Sequence, residues 1–145
     1  MPARGSMNTN NVERVESFFT RRPELGVIAV YLFGARSASR RWDSVPAVAI
    51  LADPERYPDP GRRGALLDRI AAGLAAEHGE IGFRLGMLND APPLVARHIV
   101  NEGRRVVCFE PALERAHVRD VLVRAADFRA YLRRPRRARL EAVPR

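Results

Sequence analysis

Two short runs of apolar residues constrain the fold of this chain most strongly. They are "GVIAVYLFG" (26–34) and "VPAVAILA" (45–52), and neither contains a charged side chain. A strand with one face in water alternates apolar and polar residues, whereas a fully buried strand is apolar throughout. The two runs therefore predict buried strands, in a sheet that helices must cover.

The remaining segments carry the periodicity of helices and short strands. Leu66, Ile70 and Leu74 are four residues apart and predict the inner face of one helix. The predicted helices are 11–22, 62–77, a helix that begins at Pro92–Pro93 and ends at Gly103, and a long helix from Pro111 to about Arg134; the two further strands are 81–88 and 104–110. We predict an α/β (α+β) fold, with a small mixed sheet of about four strands flanked by helices and a long C-terminal helix.

The long C-terminal helix is predicted to pack on the core through one apolar stripe. The stripe consists of Val118, Val121, Leu122, Ala125 and Leu132. Pro135 ends the helix, because proline cannot continue the hydrogen-bond ladder.

Length and cysteine usage predict one small cytoplasmic domain. The chain has 145 residues, which we divide into a disordered segment (1–10), a domain (11–134) and a basic tail (135–145). The single cysteine, Cys108, excludes an internal disulfide and is typical of a reducing compartment. No apolar run approaches the roughly 20 residues of a membrane span. The "GSM" at 5–7 is typical of a cloning remnant, which leaves open whether residues 1–6 are native.

The charge of the chain is strongly positive and comes entirely from arginine. The formal net charge is +8, with no lysine in the sequence. Such a charge indicates either a solvated basic surface or a site for an acidic partner, protein or nucleic acid. Only one aromatic residue lies within the basic stretch 129–139, so base stacking is not indicated there. The candidate partner-binding residues are Trp42, Arg129, Arg133, Arg134, Arg136 and Arg137.

Four motifs in order resemble the minimal nucleotidyltransferase (MNT) family, a branch of the polymerase-β-like nucleotidyltransferases. They are "LFGA", "DSVPAVAIL", "LNDAPPL" and "EGRRVV", with spacings similar to those of the family. Members of this family are often antitoxins encoded beside HEPN toxins. The resemblance implies a nucleotidyltransferase fold over about 11–134, and a HEPN-type protein partner.

The sequence departs from this family at the positions that carry its chemistry. Family members bind two Mg²⁺ ions through aspartates two positions apart on one strand and a third on the next strand. Alignment with that pattern places Val45, Ala47 and Arg84 at these positions, and none of them supplies the oxygen ligands that Mg²⁺ requires. The resemblance therefore implies a pseudo-nucleotidyltransferase, and we expect no metal and no cofactor.

Other interpretations of the same residues stay open. Gly34, Arg36, Arg40 and Arg41 could bind a phosphate or nucleotide without metal, and Trp42 could anchor the loop instead of contacting a partner. A rebuilt metal site could use four aspartates near strand ends: Asp43, Asp53, Asp59 and Asp90. The simpler interpretation of these aspartates is turn chemistry, with Asn89–Asp90 capping the following helix. The chain could also be an unrelated strand–loop–strand fold.

The functional prediction is a catalytically inactive protein-binding module. It is either antitoxin-like toward a HEPN-type partner or an adaptor for another acidic protein surface. The alternatives are a nucleotide- or RNA-binding module that uses the arginine loop and tail, and a residual transferase with a rebuilt metal site. Binding measured at increasing salt distinguishes a protein partner from RNA, because RNA binding weakens steeply as ionic strength rises.

Overall fold

The computed structural model describes residues 9–32, 48–79 and 84–134. The elements are α1 (Thr9–Thr20), β1 (Val27–Leu32), β2 (Val48–Ala52), α2 (Pro60–His78), β3 (Leu85–Met87), α3 (Pro93–Glu102), β4 (Arg104–Cys108) and α4 (Pro111–Arg133). Short 3₁₀ turns occupy Pro23–Leu25 and Leu88–Asp90. The predicted fold class and the predicted order of helices and strands are confirmed.

The four strands form one mixed sheet in the order β3-β2-β1-β4. β1 pairs antiparallel with both β2 and β4, while β2 and β3 run parallel. Parallel strands need a crossover connection, and α2 supplies it between β2 and β3. The two central strands, β1 and β2, are buried along their whole length, as the two apolar runs predict.

Helices cover both faces of the sheet. On one face, Phe18 and Phe19 of α1 and the predicted inner face of α2 pack against β1 and β2. On the other face, Ile99 of α3 and Val121 of α4 pack against side chains of the same two strands. Two separate apolar clusters result, so the fold has a helix–sheet–helix layering that needs fully apolar central strands.

The predicted apolar stripe of α4 is wrong at two positions. Val121 and Ala125 are buried, but Leu122 and Leu132 are 41% and 43% exposed. Leu122 lies about 100° around the helix from Val121, which turns it away from the core. Leu132 is exposed because α3, the helix against which α4 packs, has 10 residues and α4 has 23. At about 1.5 Å per residue, α3 cannot cover the far end of α4.

No helix in the described ranges combines the length and the apolar character needed to cross a bilayer.

Candidate functional site

Most of the residues predicted for phosphate binding, for the degenerate metal positions or for partner binding fall outside the described residues. These are Gly34, Arg36, Arg40, Arg41, Trp42, Val45 and Ala47, together with the tail residues Arg136 and Arg137. Arg84 lies immediately before β3, while Arg129, Arg133 and Arg134 lie at the end of α4. Those four are the predicted site residues whose positions the structure describes.

β2 and β3 begin side by side at one edge of the sheet. Val48 and Leu85 are register partners, and the amide of Val48 donates a hydrogen bond to the carbonyl of Arg84 (3.1 Å). Ala47 immediately precedes Val48 in the sequence. Two of the three positions aligned with metal-binding aspartates thus belong to the segments that lead into adjacent parallel strands.

Asn89 attaches the end of β3 to the end of β2. Its Oδ1 accepts a hydrogen bond from the amide of Ala52, and its Nδ2 donates one to the carbonyl of Ala52, both at 2.9 Å. The side-chain amide thereby satisfies the donor and the acceptor of one backbone residue. The prediction that Asn89–Asp90 caps α3 is wrong, because the N-cap position of that helix is occupied by Pro92 and no side chain caps it. The asparagine in "LNDAPPL" therefore joins the turn after β3 to the last residue of β2.

The aspartates considered for a rebuilt metal site have local structural roles where the structure describes them. Asp53 accepts a hydrogen bond from the amide of Glu55 (3.0 Å), and Asp59 caps α2 through the amide of Arg62 (2.8 Å). Asp53 confirms the turn interpretation, whereas Asp59 is a helix N-cap. Asp90 instead pairs with a guanidinium on α2, that of Arg63, at 2.7 Å.

No group of three histidine, cysteine, aspartate or glutamate side chains with metal-site geometry occurs within residues 9–32, 48–79 and 84–134. Asp43 lies outside these ranges.

A groove of about 580 Å³ lies between α4, the end of α3 and the start of β4. We call it the α4 groove. Its lining residues are Tyr31, Val100, Gly103, Arg105, Glu114, Arg115, Val118, Arg119 and Leu122. Valine and leucine side chains provide an apolar floor, while three arginines give the groove a basic rim. A shallow surface of this kind is suited to a macromolecular partner.

Glu114 is the buried charge at the base of the α4 groove, with only 6% of its surface exposed. The Tyr31 hydroxyl donates to its Oε2 (2.6 Å), and the guanidinium of Arg105 donates to its Oε1. The Cys108 thiol lies 3.7 Å from the same Oε1. A buried carboxylate needs such partners, because desolvation of an unpaired charge is costly.

The titration of this cluster follows from its burial. Burial and the hydrogen bond to Glu114 raise the pKa of the Tyr31 hydroxyl above its usual range. Burial, and then the negative charge of Glu114, also raise the pKa of the Cys108 thiol. Both groups are therefore neutral at physiological pH, and a neutral thiol is a poor nucleophile. The cluster serves to fix α4 on the sheet.

Sequence reasoning missed this groove, although part of its signal is present. Arg115, Val118, Arg119 and Leu122 stand at i, i+3, i+4 and i+7, which places them on one face of α4. Helical periodicity places Val118 and Leu122 in the predicted inner stripe, so the sequence alone does not indicate that arginine and apolar residues share an outer face. Tyr31 and Glu114 are 83 residues apart, and no local pattern connects them.

Comparison with solved structures connects this fold with a toxin–antitoxin protein. The chain is similar to a chain in a crystal structure of the toxin–antitoxin pair MntA–HpeT, in a mutant with two aspartates changed to glutamate. The TM-score is 0.51 at 18% identity, with 83% of this chain and 90% of that chain covered. The chain thus shares the overall fold of a chain of that toxin–antitoxin pair.

No protein-family profile matches the chain. No curated protein sequence matches it significantly either.

Proposed function

We propose that this chain is a cytoplasmic, antitoxin-like protein of the nucleotidyltransferase fold that binds a protein partner and does not transfer nucleotides. The observation that carries the proposal is the combination of this fold with non-acidic residues at the aligned metal positions. The proposed partner is a HEPN-type toxin, which the chain neutralises by covering its surface.

The proposed loss of catalysis is supported by the sequence around the two adjacent strand starts. Nucleotidyl transfer requires hard oxygen ligands that hold divalent cations against a triphosphate. In the sequence, Val45 and Ala47 precede β2 and Arg84 precedes β3, and the segment 82–87 contains no acidic residue. An arginine there repels a cation, and it cannot activate an acceptor hydroxyl as an aspartate does.

The proposed protein-binding role is supported by charge and by exposed apolar surface on one helix. α4 exposes Leu113, Leu122, Val123 and Leu132 to between 41% and 54%. Arg129, Arg133 and Arg134 lie exposed at the end of the same helix. Apolar residues with neighbouring arginines are typical of protein interfaces, where arginine is enriched and lysine depleted.

A neutralisation experiment tests both parts of the proposal. The native chain is recovered from its source cells, its partner is identified by mass spectrometry, and the two are co-expressed in a host that the partner alone arrests. We expect growth to recover while the intact mass of the partner stays unchanged. A partner mass increased by one or more nucleotidyl groups would overturn the proposal.

A labelling assay provides the second arm. The purified chain and its partner are incubated with radiolabelled ATP and Mg²⁺, and we expect no labelled protein. Label that disappears in Asp43→Asn or Asp90→Asn would show a rebuilt catalytic site instead. Loss of growth rescue together with salt-sensitive RNA binding would favour the nucleic-acid alternative.

A further inference from the structure

We infer that the α4 groove is the docking site for an acidic amphipathic helix of the protein partner. This inference rests on the proposed function for the existence of a protein partner, and it adds where that partner binds and with what chemistry. The argument uses the floor of the groove, its charge and its direction along α4.

The floor of the groove can bury apolar side chains of a partner. Val100 of α3 and Val118 of α4 are partly exposed, and Leu122 beside them is 41% exposed. Gly103 contributes only backbone, which keeps this part of the groove open. Burying such surface yields roughly 25 cal/mol per Å², so a leucine or phenylalanine placed here would stabilise a complex.

The charge presented by the groove is positive. Arg115 and Arg119 line it and are exposed, while the charge of Arg105 is paired with the carboxylate of Glu114. The acidic lining residue, Glu114, is buried and accepts hydrogen bonds from Tyr31 and Arg105. A partner that places carboxylates around its apolar residues would meet guanidinium groups, which bind carboxylates with two parallel hydrogen bonds.

The groove extends into a longer stripe along α4. Arg115, Arg119 and Leu122 fall on one face, and at 100° per residue Arg129 and Arg133 fall on that same face. Arg115 and Arg133 are separated by about 27 Å along the helix axis. A straight surface of alternating apolar and basic side chains matches a helix that lies along it, with apolar residues three and four apart.

The floor favours a protein helix over RNA. Single-stranded RNA is held by aromatic side chains that stack on bases, together with basic residues. Tyr31 is the aromatic residue in the groove lining, and it is 4% exposed with its hydroxyl bonded to Glu114. The exposed floor is aliphatic and presents no aromatic ring on which a base could stack.

The test uses a synthetic amphipathic peptide and matched variants of the full chain. The probe is a fluorescent peptide of about 18 residues, long enough to form a helix in water, with leucines at i, i+3, i+4 and i+7 flanked by glutamates. A control peptide carries lysine in place of each glutamate. Binding is measured by fluorescence anisotropy at physiological salt.

Two pairs of variants separate the groove from the rest of the surface. Leu122→Glu is compared with Val123→Glu, because both residues are exposed neighbours on α4 but point about 100° apart. Arg115→Glu is compared with Arg69→Glu, an exposed arginine on α2 at the opposite face of the sheet. All four positions are exposed, so the variants should keep the melting temperature of the parent.

We expect the acidic peptide to bind and the lysine peptide not to bind. Leu122→Glu and Arg115→Glu should each weaken binding by about tenfold or more, and their controls by less than about threefold. Equal binding of both peptides, equal effects of groove and control variants, no binding at all, or stronger competition from single-stranded RNA would each overturn the inference.

The same variants are then measured against the partner recovered from source cells. A partner that binds all four variants equally would overturn the groove assignment and leave the proposed function standing. Peptide binding at the groove without any recoverable protein partner would overturn the proposed function and leave the groove as a binding surface for acidic helices.

Discussion

The two hydrogen bonds of Asn89 give the sharpest prediction about stability. Asn89→Ala removes both partners of the Ala52 backbone, and Ala52 is fully buried. A buried polar group left without a partner costs about 1–3 kcal/mol. Because the contact is only partly shielded from water, we expect the pair of losses to lower the free energy of unfolding by roughly 2–4 kcal/mol. This is a large share of the 5–15 kcal/mol that is typical of a domain.

A second substitution at the same position tests the geometry. Asn89→Asp keeps the oxygen that accepts from the Ala52 amide, but it places a carboxylate oxygen against the Ala52 carbonyl, where the amide nitrogen donated. The remaining hydrogen bond is then offset by repulsion between two acceptors. We expect this variant to be destabilised at neutral pH and to recover part of its stability in mild acid, where the carboxyl group becomes protonated and can donate.

The assay is urea unfolding followed by far-UV circular dichroism, with the slope of the transition compared between variants. The control is Asn101→Ala, an exposed asparagine on α3, for which we expect a change within about 0.5 kcal/mol. If Asn89→Ala were as stable as Asn101→Ala, the hydrogen bonds to Ala52 would not hold the two strands together.

Three further predictions concern α2 and α4. An added Cβ at Gly73 would lie 2.9 Å from a buried phenylalanine ring, whereas an added Cβ at Gly64 would meet no atom within 4 Å. In thermal unfolding, Gly73→Ala should therefore destabilise the protein, and Gly64→Ala should stabilise it by up to about 1 kcal/mol. A double-mutant cycle of Tyr31→Phe and Glu114→Ala should give a coupling of about 1 kcal/mol, and additive effects would contradict the hydrogen bond. Burial lowers the pKa of His117, so the folded state favours the neutral imidazole. The stability that this contributes is present above about pH 6.5 and is lost as the pH falls. His117→Gln should reduce that loss when urea unfolding is compared at about pH 7.5 and about pH 5.

Local patterns in the sequence were sufficient to predict the elements of the fold. Leu66, Ile70 and Leu74 are each about 1% exposed, because a spacing of four residues keeps side chains on one helix face. The apolar run at 45–52 likewise predicted β2, which is buried on both sides. Such a pattern indicates which side of a segment is buried, and its period distinguishes a helix from a strand.

The candidate site was harder to predict, because its contacts join distant parts of the chain. Asn89 bonds to a residue 37 positions earlier, and its sequence context resembles an ordinary helix start. A glutamate on a helix is usually exposed to solvent, but Glu114 is buried, and it accepts hydrogen bonds from residues on β1 and β4. The prediction for Leu122 is wrong because periodicity alone cannot show on which side of α4 the neighbouring elements pack.

The α4 groove also bears on how such a protein can change over generations. Five of its nine lining residues belong to α4, and three of these, Arg115, Arg119 and Leu122, are exposed, while the buried residues Val121 and Ala125 hold the helix in place. Substitutions on the outer face therefore leave the interior unchanged and cost little folding energy. Under the proposed function, a lineage could therefore exchange one binding specificity for another while keeping the scaffold.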